Sequence, residues 1–145
     1  MTDPTAAEAA YTYVLDERVR LLAVDDDPIL REFATVYLAT PSAEVETAAS
    51  GEEGIEKLQQ GHYDLMLIDL DMPGIGGIEA IRRVRADPRL RLLPIIVVTG
   101  REDIVSIDRA FDAGATSFVC KPVNWRLLSY QVRYVLRAQK LITAA

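Results

Sequence analysis

The stretch Tyr63-Asp64-Leu65-Met66-Leu67-Ile68-Asp69-Leu70-Asp71-Met72-Pro73-Gly74 constrains the chain more than any other. Its apolar half is short, unbroken and flanked by polar residues, the pattern of a strand buried on both faces. A carboxylate follows, a second comes two positions later, and then a Pro-Gly break that no strand can continue through. Asp69 is thus expected where a sheet gives way to a loop, and open α/β sheets form their ligand sites there.

The flanking sequence repeats this punctuation. Leu21-Leu22-Ala23-Val24 is a short strand that runs into Asp25-Asp26-Asp27-Pro28. Proline is well placed near a helix start, and Leu30, Phe33 and Tyr37 follow at helical spacing until Pro41. An alternating strand near Glu44–Ala48 precedes Ser50, and Glu53 three positions on completes a capping-box pattern for a helix through Ile55 and Leu58 to Gly61. After the central strand, Ile78, Ile81 and Val84 mark a helix that ends near Asp87-Pro88. Pro94–Thr99 is a nearly all-apolar strand. A helix over Glu102–Asp112 is expected to turn Ile104, Ile107 and Phe111 inward and to stop at Gly114. Thr116–Cys120 makes a last strand before Lys121-Pro122. A final helix over Trp125–Leu141 should bury Leu128, Val132 and Val135. Five strands alternating with five helices predict a three-layer α/β sandwich on a parallel sheet.

The expected division is a leader over residues 1–17, one domain over 18–141, and a short tail over 142–145. A chain of 145 residues with 50% hydrophobic content can build one sizeable core. The net charge of -6 argues against direct nucleic-acid binding through a basic face. The single cysteine, Cys120, excludes an intrachain disulfide and is expected to be an inert buried thiol. No apolar run is long enough to cross a bilayer, and no basic-then-apolar signal pattern opens the chain, so a cytoplasmic location without membrane contact is expected.

The polar residues at the strand ends carry the chemistry. Asp25, Asp26 and Asp69 would converge, and Thr99 and Lys121 end the last two strands. Clustered carboxylates repel unless something offsets them, and a hard divalent cation with oxygen ligands does so. One of the first pair, Asp69 and a backbone carbonyl near Asp71 could supply the protein ligands. Lys121 and Thr99 are the usual partners of transferring phosphoryl oxygens, and a carboxylate such as Asp69 can form an aspartyl phosphate. Taken singly, each residue reads more simply as a cap, a turn or a solvated charge. Their joint placement is what points to a site.

Val24-Asp25-Asp26, Asp69-Leu70-Asp71-Met72-Pro73, Thr99-Gly100 and Gly114-Ala115 ahead of Lys121-Pro122 together resemble the receiver domain of two-component response regulators, the CheY-like family, over Arg20–Lys140. The resemblance implies a flavodoxin-like fold with strand order 2-1-3-4-5. It implies Mg²⁺, or Mn²⁺ in its place, held by Asp25, Asp26, Asp69 and the carbonyl of Asp71. It makes Asp69 the phosphoacceptor, Thr99 the hydroxyl that moves toward the phosphoryl group, Lys121 its cationic contact and Phe118 the switch aromatic, with Asp71's side chain facing the site. By the same likeness Lys121-Pro122 is cis, Asp71 and Arg101 stand where relatives tune hydrolysis, and the partners are a histidine kinase or phosphotransfer protein and a downstream effector. A homodimer through the last two helices also belongs to this expectation. Such a domain is not an enzyme beyond catalysing its own phosphorylation and dephosphorylation.

Some positions depart from the family pattern. Ile75-Gly76-Gly77 after Met-Pro should loosen that loop, Gly100 should ease access to Asp69 or loosen its turn, and Val123 stands where phenylalanine is frequent. The last helix resembles that of receivers fused to further modules, so the chain reads as the N-terminal part of a multidomain regulator, with a stand-alone regulator as the alternative. A phosphatase of haloacid-dehalogenase type would share Asp69-Leu70-Asp71 but is disfavoured by Pro73. A flavin-binding protein would need a phosphate loop where Asp25-Asp26-Asp27 stands.

Overall fold

The computed structural model describes residues 18–144; the expected leader over 1–17 lies outside them. Five strands, β1 (Val19–Val24), β2 (Ala43–Ala48), β3 (Leu65–Ile68), β4 (Ile95–Thr99) and β5 (Ser117–Cys120), form one sheet. All its pairings are parallel and its order is β2-β1-β3-β4-β5, as expected. Five helices cover it: α1 (Pro28–Leu38), α2 (Gly51–Gln60), α3 (Gly76–Ala86), α4 (Ile104–Ala113) and α5 (Trp125–Ala144). A 3₁₀ turn, Pro88–Leu90, follows α3.

β3 and β4 are buried at every position, whereas the edge strands β2 and β5 are mostly half-buried. Layering follows from alternation along each strand. Leu22, Val24, Met66, Ile68, Ile95 and Val97 face one core with Leu58, Ile81 and Val84 from α2 and α3. Leu21, Ala23, Leu65, Leu67, Ile96 and Val98 face the other with Ala34, Leu38, Leu128 and Val132 from α1 and α5. Each fully buried aliphatic side chain contributes about 2 kcal/mol, so the two cores hold the strand ends in fixed register.

Helix starts are built locally. Asp27 accepts from the Ile29 N–H at 2.9 Å, and Asp103 from the Ser106 N–H at 2.9 Å. Ser50 accepts from the Glu53 N–H at 3.1 Å, but the return bond of Glu53 goes to the Ala49 N–H, one residue short of the box pattern. α1 ends at Leu38, ahead of Pro41, and α5 runs on past Leu141.

Inward faces differ from the periodicity in three helices. In α4, Ile104 and Phe111 are 75% and 45% exposed, and Ala110 and Ala113 take the core positions. Small side chains let this helix lie close to its neighbours, and its large ones are turned outward. In α1, Ala34 and Leu38 enter the core, while Phe33 and Tyr37 remain exposed and pack on Trp125. The Tyr37 and Trp125 rings stack 5.8 Å apart, tying α1 to the start of α5. In α5, Leu136 is buried and Val135 only half-buried. Cys120 is exposed rather than buried, because β5 ends at the sheet's rim and directs this side chain outward.

A carboxylate crevice at the sheet's switch point

Strand order places β1 and β3 side by side with crossovers leaving in opposite directions, which opens a crevice beyond their C-terminal ends. Val24 pairs with Ile68, so Asp25 and Asp69 follow at the same level. Backbone bonds seat both: Asp25 N–H donates to Ala48 O at 3.1 Å, and Asp69 N–H to Val24 O at 3.1 Å. Asp25, Asp69 and Thr99 are the buried polar residues among those described.

Lys121 Nζ donates to Asp25 Oδ2 at 2.9 Å and to Asp69 Oδ2 at 3.1 Å. Its backbone N–H donates to Thr99 O at 2.8 Å, and the Lys121-Pro122 peptide is cis. Burial pushes the Asp25 carboxyl above its ordinary value and the charge of Asp69 adds to this, while the Asp27 N–H and Lys121 oppose it. Burial, the largest influence on Lys121, pulls its pKa down, but the hydrogen bonds to Asp25 and Asp69 outweigh it and hold the ammonium above its ordinary value.

Ligand atoms from Asp25, Asp26 and Asp69 all lie within 4.8 Å of one another. Three carboxylates against one ammonium leave an excess negative charge in a largely dry crevice, the donor chemistry that suits a hard divalent cation. Asp26 is exposed, which leaves the cluster open to water on that side. A small gap lined by Asp25, Asp69, Leu30, Leu128 and Trp125 lies beneath the carboxylates, so the chain's single tryptophan borders the charged centre.

Asp71 N–H donates to Asp69 Oδ1 at 3.3 Å, while the Asp71 side chain pairs across the mouth with Arg101, Oδ1 to Nε at 2.7 Å. Thr99 Oγ1 accepts from the Arg101 N–H at 3.5 Å. Phe118 is half-buried and packs against Phe111, ring centroids 6.4 Å apart, next to the α2–α3–α4 core. The His62 ring bonds to Asp64 at 3.0 Å, the His62 carbonyl accepts from Arg20 Nη1 at 3.1 Å, and the residue joins no metal-type cluster among the described residues.

The glycines act differently from the expected loosening. A Cβ on Gly77 would lie 2.2 Å from Asp69 O, so the start of α3 presses directly on the phosphoacceptor candidate's backbone. Gly77 N–H donates to Leu70 O at 3.1 Å in the same contact. Its smallness is a packing requirement. A Cβ on Gly100 would meet nothing within 4 Å, so bulk there does not control access to Asp69. Neither the Gly77 contact nor the Arg101–Asp71 pair has a signal in the sequence beyond the residue types at the right loops.

Fold and crevice together place three carboxylates and one ammonium at the switch point of a parallel α/β sheet. The family described as the response regulator receiver domain matches residues 21–133, and the chain belongs to it. It is 39% identical to the transcriptional regulatory protein AfsQ1 of Streptomyces coelicolor over 81% of this chain and 51% of that protein. It is 34% identical to the DNA-binding response regulator MtrA of Mycolicibacterium smegmatis over 83% of this chain and 51% of that one. The chain therefore spans about half the length of these relatives. The chemotaxis protein CheY4 of Vibrio cholerae superposes with a TM-score of 0.77 at 30% identity, covering 81% of this chain and 98% of that one. Receiver domains are signalling modules rather than classical enzymes, and no described helix is long and apolar enough to cross a membrane.

Proposed function

We propose that Asp69 is the phosphoacceptor of this receiver domain and that a histidine kinase or phosphotransfer protein is the donor. The observation that carries this reading is the bridging of Asp69 and Asp25 by Lys121, with Thr99 buried at the next strand end. A carboxylate oxygen of Asp69 attacks the phosphorus of the donor's phosphohistidine. The P–O bond forms as the P–N bond breaks, and the imidazole leaves and takes a proton from solvent. Lys121 neutralises the incoming phosphoryl oxygens, and the Thr99 hydroxyl turns from the Arg101 N–H to donate to one of them. Asp25, Asp26, Asp69 and the carbonyl of Asp71 would hold Mg²⁺ or Mn²⁺, which supplies charge neutralisation for the transferring group.

The output is a change of protein contacts around α4, β5 and α5, including Phe118, that reaches an effector domain or protein or a second copy of the chain through α4 and α5. Exposed Ile104, Val105 and Phe111 on α4, and Tyr130 and Tyr134 on α5, support a contact surface there. The functional domain is assigned to residues 18–141, acting in the cytoplasm without touching nucleic acid or membrane itself. The lengths of AfsQ1 and MtrA favour a role within a multidomain regulator, and the near-complete coverage of CheY4 supports the stand-alone alternative.

Intact mass after incubation with Mg²⁺ and acetyl phosphate tests the reading. One phosphoryl adduct that requires Mg²⁺ and is absent from Asp69→Ala is expected. A folded, Mg²⁺-binding protein that gains no adduct would contradict it.

A further inference from the structure

The end of the sheet opposite the carboxylates has an opening of its own. A cleft of about 590 Å³ runs beneath the N-terminal ends of β1, β3 and β4, between residues 89–93 and the last turns of α5. That volume is ligand-sized and far exceeds what an ordered water needs. Leu90, Leu93, Pro94 and Leu136 line it, and Leu92 beside them is 50% exposed. Its walls are already held in place. Gln139 Nε2, on α5, donates to Leu92 O at 2.8 Å, and Arg85 Nη1 donates to Leu90 O at 3.0 Å.

The polar lining has one sign. Arg18, Arg89 and Lys140 line the cleft against the single carboxylate of Asp64, in a chain whose net charge is -6. Asp64 is engaged by the Arg20 N–H at 2.8 Å, and Arg89 pairs with Asp87 at 3.0 Å on an exposed face. An apolar floor with a cationic rim fits a short segment that is both apolar and acidic.

The chain supplies such a segment next to the cleft. The residues before Arg18 include Asp3, Glu8, Asp16 and Glu17 and no Lys or Arg, and their aromatic and branched apolar side chains are gathered at Tyr11, Tyr13, Val14 and Leu15. Tyr11, Tyr13 and Leu15 alternate, a spacing that shares one face in an extended chain. Arg18 and Val19 both line the cleft, so the leader joins the domain at its edge. An extended chain from Arg18 back to Tyr11 reaches roughly 23 Å. The three neighbouring strand ends span only roughly 10 Å.

We propose that residues 11–15 of the leader dock in this cleft, with Tyr11, Tyr13 and Leu15 against the leucines and Asp16 and Glu17 at the cationic rim. The docked segment covers Leu92 and straps the last turns of α5 to the base of the sheet. The inference is independent of the phosphoacceptor reading. Tethering gives the segment an effective concentration on the order of 1 mM, so an intrinsic Kd of about 0.1 mM keeps it docked about tenfold more often than released.

The test places a nitroxide on Thr12→Cys in a Cys120→Ser background of the full chain and reads paramagnetic broadening of backbone amides. Broadening is expected at Leu92, Leu93 and Lys140. It should fall sharply when Tyr11, Tyr13 and Leu15 are all replaced by Ser, and again when Leu92→Asp puts a carboxylate into the apolar floor. Amide exchange over residues 139–143 should be about tenfold slower in wild type than in the triple-Ser variant, matching the docked fraction. Absence of broadening at the cleft overturns the inference, and so does equal exchange in the two proteins. Broadening that survives both sets of substitutions would reflect only the nearness of residue 12 to Arg18, and overturns it as well. Broadening in a mixture of nitroxide-bearing protein and separate, isotopically enriched protein would put a second copy's leader in the cleft, which also contradicts the proposal.

Discussion

The two halves of the crevice are built to opposite rules. On the β1–β3 side, Asp25 and Asp69 are buried, bonded through their backbones to neighbouring strands, and closed from behind by Gly77 on Asp69. On the β4–β5 side, the Thr99 carbonyl is held by the Lys121 N–H at 2.8 Å, but the Thr99 hydroxyl has a long bond to the Arg101 N–H, Arg101 is tied by an exposed pair, and Gly100 has open space around it. β5 is an edge strand with no fully buried residue, and Phe118 is only half-covered. One half is fixed and stores negative charge. The other is held by contacts that cost little to exchange, and Lys121 joins the two. A site that must hold a cation in place and also change shape needs both kinds of surface.

Several substitutions sharpen or break this contrast. The largest effect is expected from Gly77→Ala, whose methyl would collide with the Asp69 carbonyl; a loss of about 3 kcal/mol in urea unfolding is expected. An unchanged midpoint would show that the back wall yields. Lys121→Ala leaves two buried carboxylates facing each other and should cost about 3 kcal/mol without metal, with an unusually large recovery on adding Mg²⁺. Equal recovery in wild type and variant would argue that Lys121 does not offset the carboxylate charge.

Asp25 supplies a pH test. Its carboxyl is raised above the ordinary 3.8, so its proton contributes stability that is fully present below that value and lost as pH rises through the raised pKa. Asn cannot titrate. Without metal, the stability of Asp25→Asn relative to wild type should therefore grow from acidic to neutral pH, and parallel curves would count against a strained carboxylate. Smaller still is the expected change in Trp125 emission on Mg²⁺ titration, absent in Asp69→Asn, since this ring borders the same gap as Asp25 and Asp69. Gly100→Ala should be the smallest, within about 0.5 kcal/mol of wild type.

The strand ends were legible in the sequence because apolar runs, acidic ends and Pro or Gly breaks mark them on a local scale. Lys121 reaches Asp25 and Asp69 at two of those strand ends, and Thr99 closes β4 as the pattern placed it. Helix faces were less legible: Phe33, Ile104 and Phe111 have core spacing, yet alanines one residue away or on an adjoining face take the buried positions. Which stripe turns inward depends on how closely a helix can approach the sheet, a three-dimensional quantity. The Arg101–Asp71 pair spans two loops 30 residues apart, and the Gly77 contact depends on where α3 lands on β3. Neither distance is written in a local pattern.

Hydrogen exchange with and without Mg²⁺ and beryllofluoride tests the central contrast most directly. The account predicts that protection changes concentrate in residues 99–121 and the adjoining faces of α4 and α5, while the β1 and β3 strands through Asp25 and Asp69 keep their exchange rates. Changes spread evenly over both halves, or centred on β1 and β3, would contradict it.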